Sequence, residues 1–170
     1  IFFSILFYNK SYNTSYFENT SYTLLFKMLI ASFSYVLLNF SSTWFAIENK
    51  TGCRFYVLIF CAIIISNLLI SSINIILLTF CYAILIYINY RLFSISYDKY
   101  PTDASTRYIG ISSVIILILS IGVYTLTFIY NISPNIDEMS TYLENRDTSI
   151  VEYISIIFLL IPFLYSLGIP

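Results

Sequence analysis

The sequence predicts an all-α integral membrane protein with about five transmembrane helices. Three observations carry that prediction. Charged residues make up 10 % of the 170-residue chain, against about 25 % in soluble domains. Hydrophobic residues make up 59 % and mean hydropathy is +0.84. Uncharged stretches recur at about 20 residues, the length at which a helix rising about 1.5 Å per residue crosses a hydrocarbon layer of about 30 Å. Eight Lys/Arg and nine Asp/Glu cannot clothe a water-facing surface of this length, which excludes a soluble globular enzyme. A net charge of −1, a pI near 5.2 and the lack of a basic patch exclude a nucleic-acid partner.

Taken in order, residues 1–26 read as an interfacial N-terminal arm. Positions 1–8 are apolar but too short to span, and 9–23 are rich in Ser, Thr, Asn and Tyr, with Lys10 and Glu18. A secretory signal fits poorly without a basic leader. The transmembrane domain is read as 27–170. Its first span, near 27–47, is the uncharged run between Lys27 and Glu48, with Trp44 at the depth of an aromatic belt. The next uncharged run lies between Arg54 and Arg91. At about 54 Å it is too long for one crossing and right for two. It divides into spans near 54–71 and 74–94, broken at Ser71-Ser72-Ile73-Asn74, its most polar point. The fourth span, near 108–131, follows Arg107 and stops before Pro134. The fifth, near 151–169, contains Pro162, a kink that neighbouring membrane helices can accommodate.

Little in the chain suggests chemistry of its own. There is no His, and Cys53, Cys61 and Cys81 form no CxxC pair, so they read as buried apolar thiols. No Gly-rich phosphate loop is present, and we expect no cofactor to be bound by this chain. No Asp, Glu or Arg lies deep in a span. Lys27 reads either as a relay lysine or as an anchor snorkelling to the headgroups, and the twenty uncharged residues after it favour the anchor. The candidate intramembrane polar contacts are Asn67, Asn74, Thr79, Tyr87 and Asn89, with Ser66 beside them. They either bond across helices, the default expectation, or line a hydrated cavity. Tyr82 lies mid-membrane and needs a hydroxyl partner, which implies protein on that side. Tyr82 and Tyr90 project within about 80° of each other, and Tyr87 points elsewhere. Sequons at Asn13, Asn19, Asn39, Asn49 and Asn131 follow from the abundance of Asn, Ser and Thr. The expected partners are membrane lipids and the hydrophobic subunits of a larger complex.

Ile, Phe, Tyr, Asn and Lys account for 78 residues, while Ala, Gly, Pro and Arg account for 17. This is the signature of an AT-rich gene. With Ile1 in place of Met, it suggests an organellar origin and a processed, incomplete or non-standard start. The span layout resembles chain 6 of the mitochondrial NADH:ubiquinone oxidoreductase, respiratory complex I, over about 27–170. The candidate match to its third-span signature is Leu78-Thr79-Phe80-Cys81-Tyr82-Ala83-Ile84-Leu85-Ile86, in which Tyr82 fits and Ala83 supplies the small residue. The family carries a glycine step here that allows a π-bulge, but no Gly lies between Gly52 and Gly110. The resemblance implies a cofactor-free core subunit of the inner mitochondrial membrane that helps couple quinone reduction to proton transfer. Alternatives are an accessory subunit of ATP synthase or cytochrome oxidase, or a small non-organellar carrier or receptor.

Five spans divide the charges between two faces. Lys50, Arg54, Arg91, Lys99 and Arg107 share one. Lys10, Lys27 and Arg146 share the other with the N-terminal arm, the Ser71 turn and the 132–150 loop. The positive-inside rule then turns the C-terminus toward the compartment of synthesis and the N-terminus away from it, which on the complex I resemblance implies the matrix and the intermembrane space.

Overall fold

A computed structural model describes residues 16–48, 52–95, 101–144 and 149–166 of the chain. Among these residues the fold is α-helical, with two isolated β-bridges and no strand. The helices are α1 (Ser21–Glu48), α2 (Cys53–Ser71), α3 (Ile75–Ile95), α4 (Pro101–Tyr124, continued by a π turn at Thr125–Ile129), α5 (Ile136–Glu144) and α6 (Ile150–Ser166). Helices α1 to α4 are long and apolar enough to cross a membrane, and α6 is a shorter apolar helix. The chain is a multi-pass membrane protein. Its first helix starts at Ser21, six residues before Lys27. Thr20 explains this start: its hydroxyl accepts from the N–H of Thr23 at 3.4 Å, and its carbonyl accepts from the hydroxyl of Thr23 at 2.9 Å. The end of the expected arm is thus the first turn of α1.

The break between the second and third spans falls where the sequence placed it, and the structure supplies the reason. The link is too short to satisfy its own backbone, so two distant segments do so. On one side, the N–H of Glu18 donates to the carbonyl of Ser71 at 2.9 Å, and that of Ile73 donates to Tyr16 at 3.0 Å. On the other, the N–H of Ile75 donates to the carbonyl of Pro134 at 2.9 Å, and that of Ile136 donates to Ile73 at 3.0 Å. The bridges Phe17–Ser72 and Asn74–Asn135 are the centres of these pairings. Arm, turn and pre-α6 loop therefore lie together at one end of the helices, the grouping on which the charge division rests.

The helices pack in chain order, α1 on α2, α2 on α3, α3 on α4 and α4 on α6, a row whose last member, α6, also reaches α3. Helix α4 is the best covered. Ser112, Ile115, Leu119, Val123 and Leu126 are buried at spacings of three and four residues, which places them on one stripe. At the clasped end, Ile75, Val123, Leu126, Ile132 and Met139 form a core closed by the short amphipathic α5. Asp137 and Glu138 occupy the first turn of α5, where the helix dipole favours them. Asn131, at φ 51°, ends α4 in the left-handed conformation that Asn tolerates, and the N–H of Ile132 reaches back to the carbonyl of Leu126 at 3.1 Å. Helix α6 opens with a capping box. The N–H of Ser149 donates to Glu152 Oε2 at 2.6 Å, and the N–H of Glu152 donates to Ser149 Oγ at 3.3 Å.

Gly122 sets the approach of α4 to α6. A Cβ there would lie 3.0 Å from the carbonyl oxygen of Ser155 and 3.1 Å from Phe158 Cβ. Gly122→Val is expected to destabilise the protein by about 1–3 kcal/mol through this overlap. Gly110, with nothing within 4 Å of its added Cβ, is the control. Thermal unfolding in detergent should show a lowered midpoint for Gly122→Val and none for Gly110→Ala. Equal midpoints would contradict the close approach.

Candidate functional site

Among the described residues, polar side chains singled out from the sequence gather at two places. The first is a cleft of about 520 Å³ at the clasped end, lined by Phe17, Asn19, Lys27, Ile64, Asn67, Leu68 and Ser71. It forms because the 16–18 segment, held to the turn, bridges the ends of α1 and α2. Lys27 reaches back toward the start of its helix and donates through Nζ to Asn19 Oδ1. This is the snorkelling direction, since side chains of a helix lean toward its N-terminus. Asn67 lies across the cleft, one turn from the end of α2. Its amide donates to the carbonyl of Ile63 on its own helix at 2.8 Å.

These placements revise the expected interhelical network. Asn67 bonds within its helix and lines a cleft, the alternative to a cross-helix bond. Asn74 sits in the short link before α3 rather than within a helix. It caps α3, with Oδ1 accepting from the N–H groups of Ile76 at 2.9 Å and Leu77 at 3.4 Å, because a short polar side chain at a helix start satisfies donors the helix cannot. Thr79 donates to the carbonyl of Ile75 at 2.8 Å, one turn back. Tyr87 is exposed and its ring lies 6.4 Å from that of Tyr90, while Ala83 and Asn89 are half-buried. Cys81 is buried as expected. Cys53 and Cys61 are exposed, because in a row one helix thick α2 buries only Ile59 and Ser71 among its described residues.

The second place is the seam of α6 with α3 and α4. The expectation for Tyr82 is met here: its hydroxyl donates to the carbonyl of Pro162 at 3.3 Å, joining α3 to α6. Two further cross-links were not anticipated. Thr125 Oγ1 and Ser155 Oγ lie 2.6 Å apart, and Tyr130 and Ser149 share a hydroxyl contact at 3.2 Å. Thr125 also faces the carbonyl of Gly122 at 2.9 Å, and Ser155 that of Val151 at 2.9 Å. Two hydroxyl protons serve three contacts, so the pair has two alternative arrangements. The available signal for this seam is Gly122 followed one turn later by Thr125, which sets a residue without a side chain and a hydroxyl on one face of the helix. Helix α3 is regular throughout, and the π turn is in α4, beginning at Thr125.

Neither place assembles a reaction centre. No group of three or more His, Cys, Asp or Glu that could hold a metal occurs among the described residues. Lys27 meets an amide and aliphatic side chains in its cleft, a binding or anchoring environment. No family model, curated protein or solved structure matches the chain.

The cleft makes Asn67 accessible from the clasped end. With the native cysteines replaced, Asn67→Cys is expected to react with a membrane-impermeant thiol reagent added to that face. Thr79→Cys, bonded back along α3, is expected to react at least about tenfold more slowly, as burial from water withholds the thiolate. Equal labelling of both would contradict a cleft confined to the end of α2.

Proposed function

We propose that this chain is a cofactor-free structural subunit of a larger membrane assembly. The observation that carries this reading is a pair of tyrosines. Tyr35, near the middle of α1, and Tyr87, near the middle of α3, are exposed by 68 % and 56 %. A phenol at mid-depth carries a hydroxyl that hydrocarbon cannot satisfy, so a neighbouring polypeptide is its natural partner. The row architecture agrees. From α1 to α3 it is one helix thick, it encloses no charged path among the described residues, and it turns apolar side chains such as Phe33, Leu37, Phe60 and Ile64 outward.

Within that class the proposed place is that of the chain 6 membrane subunit of proton-translocating NADH:ubiquinone oxidoreductase, in the inner mitochondrial membrane. Support comes from the layout: a three-residue link between the second and third helices, a medium link after the third, and a longer one between the fourth and the last. The family's π-bulge belongs to the third span, whereas this chain has its π turn in the fourth helix. On this reading the face with Arg54, Arg91 and Arg107 looks into the matrix, and the clasped end, with the acidic 137–147 stretch, looks into the intermembrane space.

Purification in mild detergent tests both levels. Recovery with flavin- and iron–sulfur-containing NADH dehydrogenase subunits is the expected result. Recovery with a different complex would retain the subunit reading and end the complex I one, and a stable lone monomer would end both. In the assembled complex, Tyr82→Phe removes only the hydroxyl contact to Pro162, worth about 0.5–1.5 kcal/mol. Intact assembly with lowered coupled turnover is expected. Unchanged turnover would leave Tyr82 a packing residue.

A further inference from the structure

The end of the row opposite the clasp carries a second cleft, lined by Cys53, Arg54, Val57, Leu58, Arg91 and Ser94. Its two cations come from opposite ends of one hairpin. Arg54 opens α2 and Arg91 lies in the last turns of α3, and they are equidistant in sequence from the Ser72–Ile73 turn. Each is therefore about 28 Å of helix from that turn, close to the thickness of the hydrocarbon layer. With the turn held at one interface by its clasp, both guanidinium groups emerge at the other, at the depth of lipid phosphates. Both side chains are exposed, and no acidic partner is seen for either among the described residues. The cleft also lies at the first turn of α2, the positive end of that helix dipole.

We propose that Arg54 and Arg91 clamp the phosphate of an anionic phospholipid, with its acyl chains running down past Val57 and Leu58. The chemistry favours this occupant. Guanidinium forks match phosphate oxygens in a bidentate manner. The floor turns apolar within one helical turn below them, as a lipid requires and a free phosphate does not. Ser94 adds a hydroxyl at the rim of the same cleft. The hairpin thus presents its cations at a fixed spacing and depth, because their levels are set by the same turn.

Native mass spectrometry of the full chain, released from micelles doped with equal phosphatidylglycerol and phosphatidylcholine, tests the proposal. One phosphatidylglycerol is expected to be retained preferentially. Arg54→Gln/Arg91→Gln should lower that preference about tenfold, whereas Arg107→Gln, removing an exposed cation on the same face, should leave it unchanged. Glycerol 3-phosphate at millimolar concentration should not displace the lipid. The single variants Arg54→Gln and Arg91→Gln, each with an intermediate loss, give the same answer if the double variant does not fold. Undiminished preference in the folded variants, no preference in the unaltered protein, an equal loss with Arg107→Gln, or displacement by glycerol 3-phosphate would each overturn it.

Discussion

The backbone hydrogen bonds around the Ser71–Ile75 link are what the rest of the structure depends on. At a membrane boundary an unpaired N–H or C=O has few partners, and leaving one unsatisfied costs on the order of 1–3 kcal/mol. A link of three residues between antiparallel helices cannot pair its own groups. It borrows partners instead: residues 16–18 on one flank and 134–136 on the other. Several features follow from this exchange. The hairpin of α2 and α3 is fixed in length. The arm is drawn over the end of α2, which creates the Lys27 cleft. Helix α5 is set down on the core at Ile75 and Met139.

The remaining contacts show how a chain with few strong polar groups joins helices. Hydroxyls and a glycine do the work expected of the asparagines. Gly122 lets α4 meet α6, and Thr125, Ser155, Tyr82 and the Pro162 carbonyl supply the cross-links. The π turn begins at Thr125, three residues after Gly122. Away from this seam the row is thin, and its apolar faces and mid-depth tyrosines are turned outward. A structure arranged this way has its polar logic at its two ends and its unsatisfied surface between them, which is the basis for reading it as one piece of a larger assembly.

Much of the fold was legible in the sequence, for definite reasons. Charges are so sparse that several mark helix ends: Glu48 closes α1, Arg54 opens α2 and Arg91 lies near the end of α3, whereas Lys27 and Arg107 each lie six residues inside a helix. The Ser71–Asn74 break was legible as the most polar point of an overlong run. Other features were not. Helix α5 is short, and its amphipathic pattern is hidden inside a polar loop. The capping box of Ser149 and Glu152 is a clear local signal for the start of α6 that the span-length argument passed over. The asparagines misled, because an amide can bond its own helix or cap the next one, and only tertiary packing decides between these. Trp44 lies in a helix as expected, while Lys10 and the apolar 1–8 segment fall outside the described residues.

The most direct test of the clasp is pairwise disulfide cross-linking in native membranes, in a background without Cys53, Cys61 and Cys81. Residues paired across an antiparallel bridge have Cα atoms about 4.5–5.5 Å apart, within the range a disulfide spans. Phe17→Cys with Ser72→Cys, and Asn74→Cys with Asn135→Cys, are expected to cross-link efficiently, whereas Phe17→Cys with Ser94→Cys, placed at opposite ends of the row, is not. Failure of both bridge pairs, or efficient linkage of the control pair, would contradict the account that one short turn gathers the arm and the loop to the same face of the membrane.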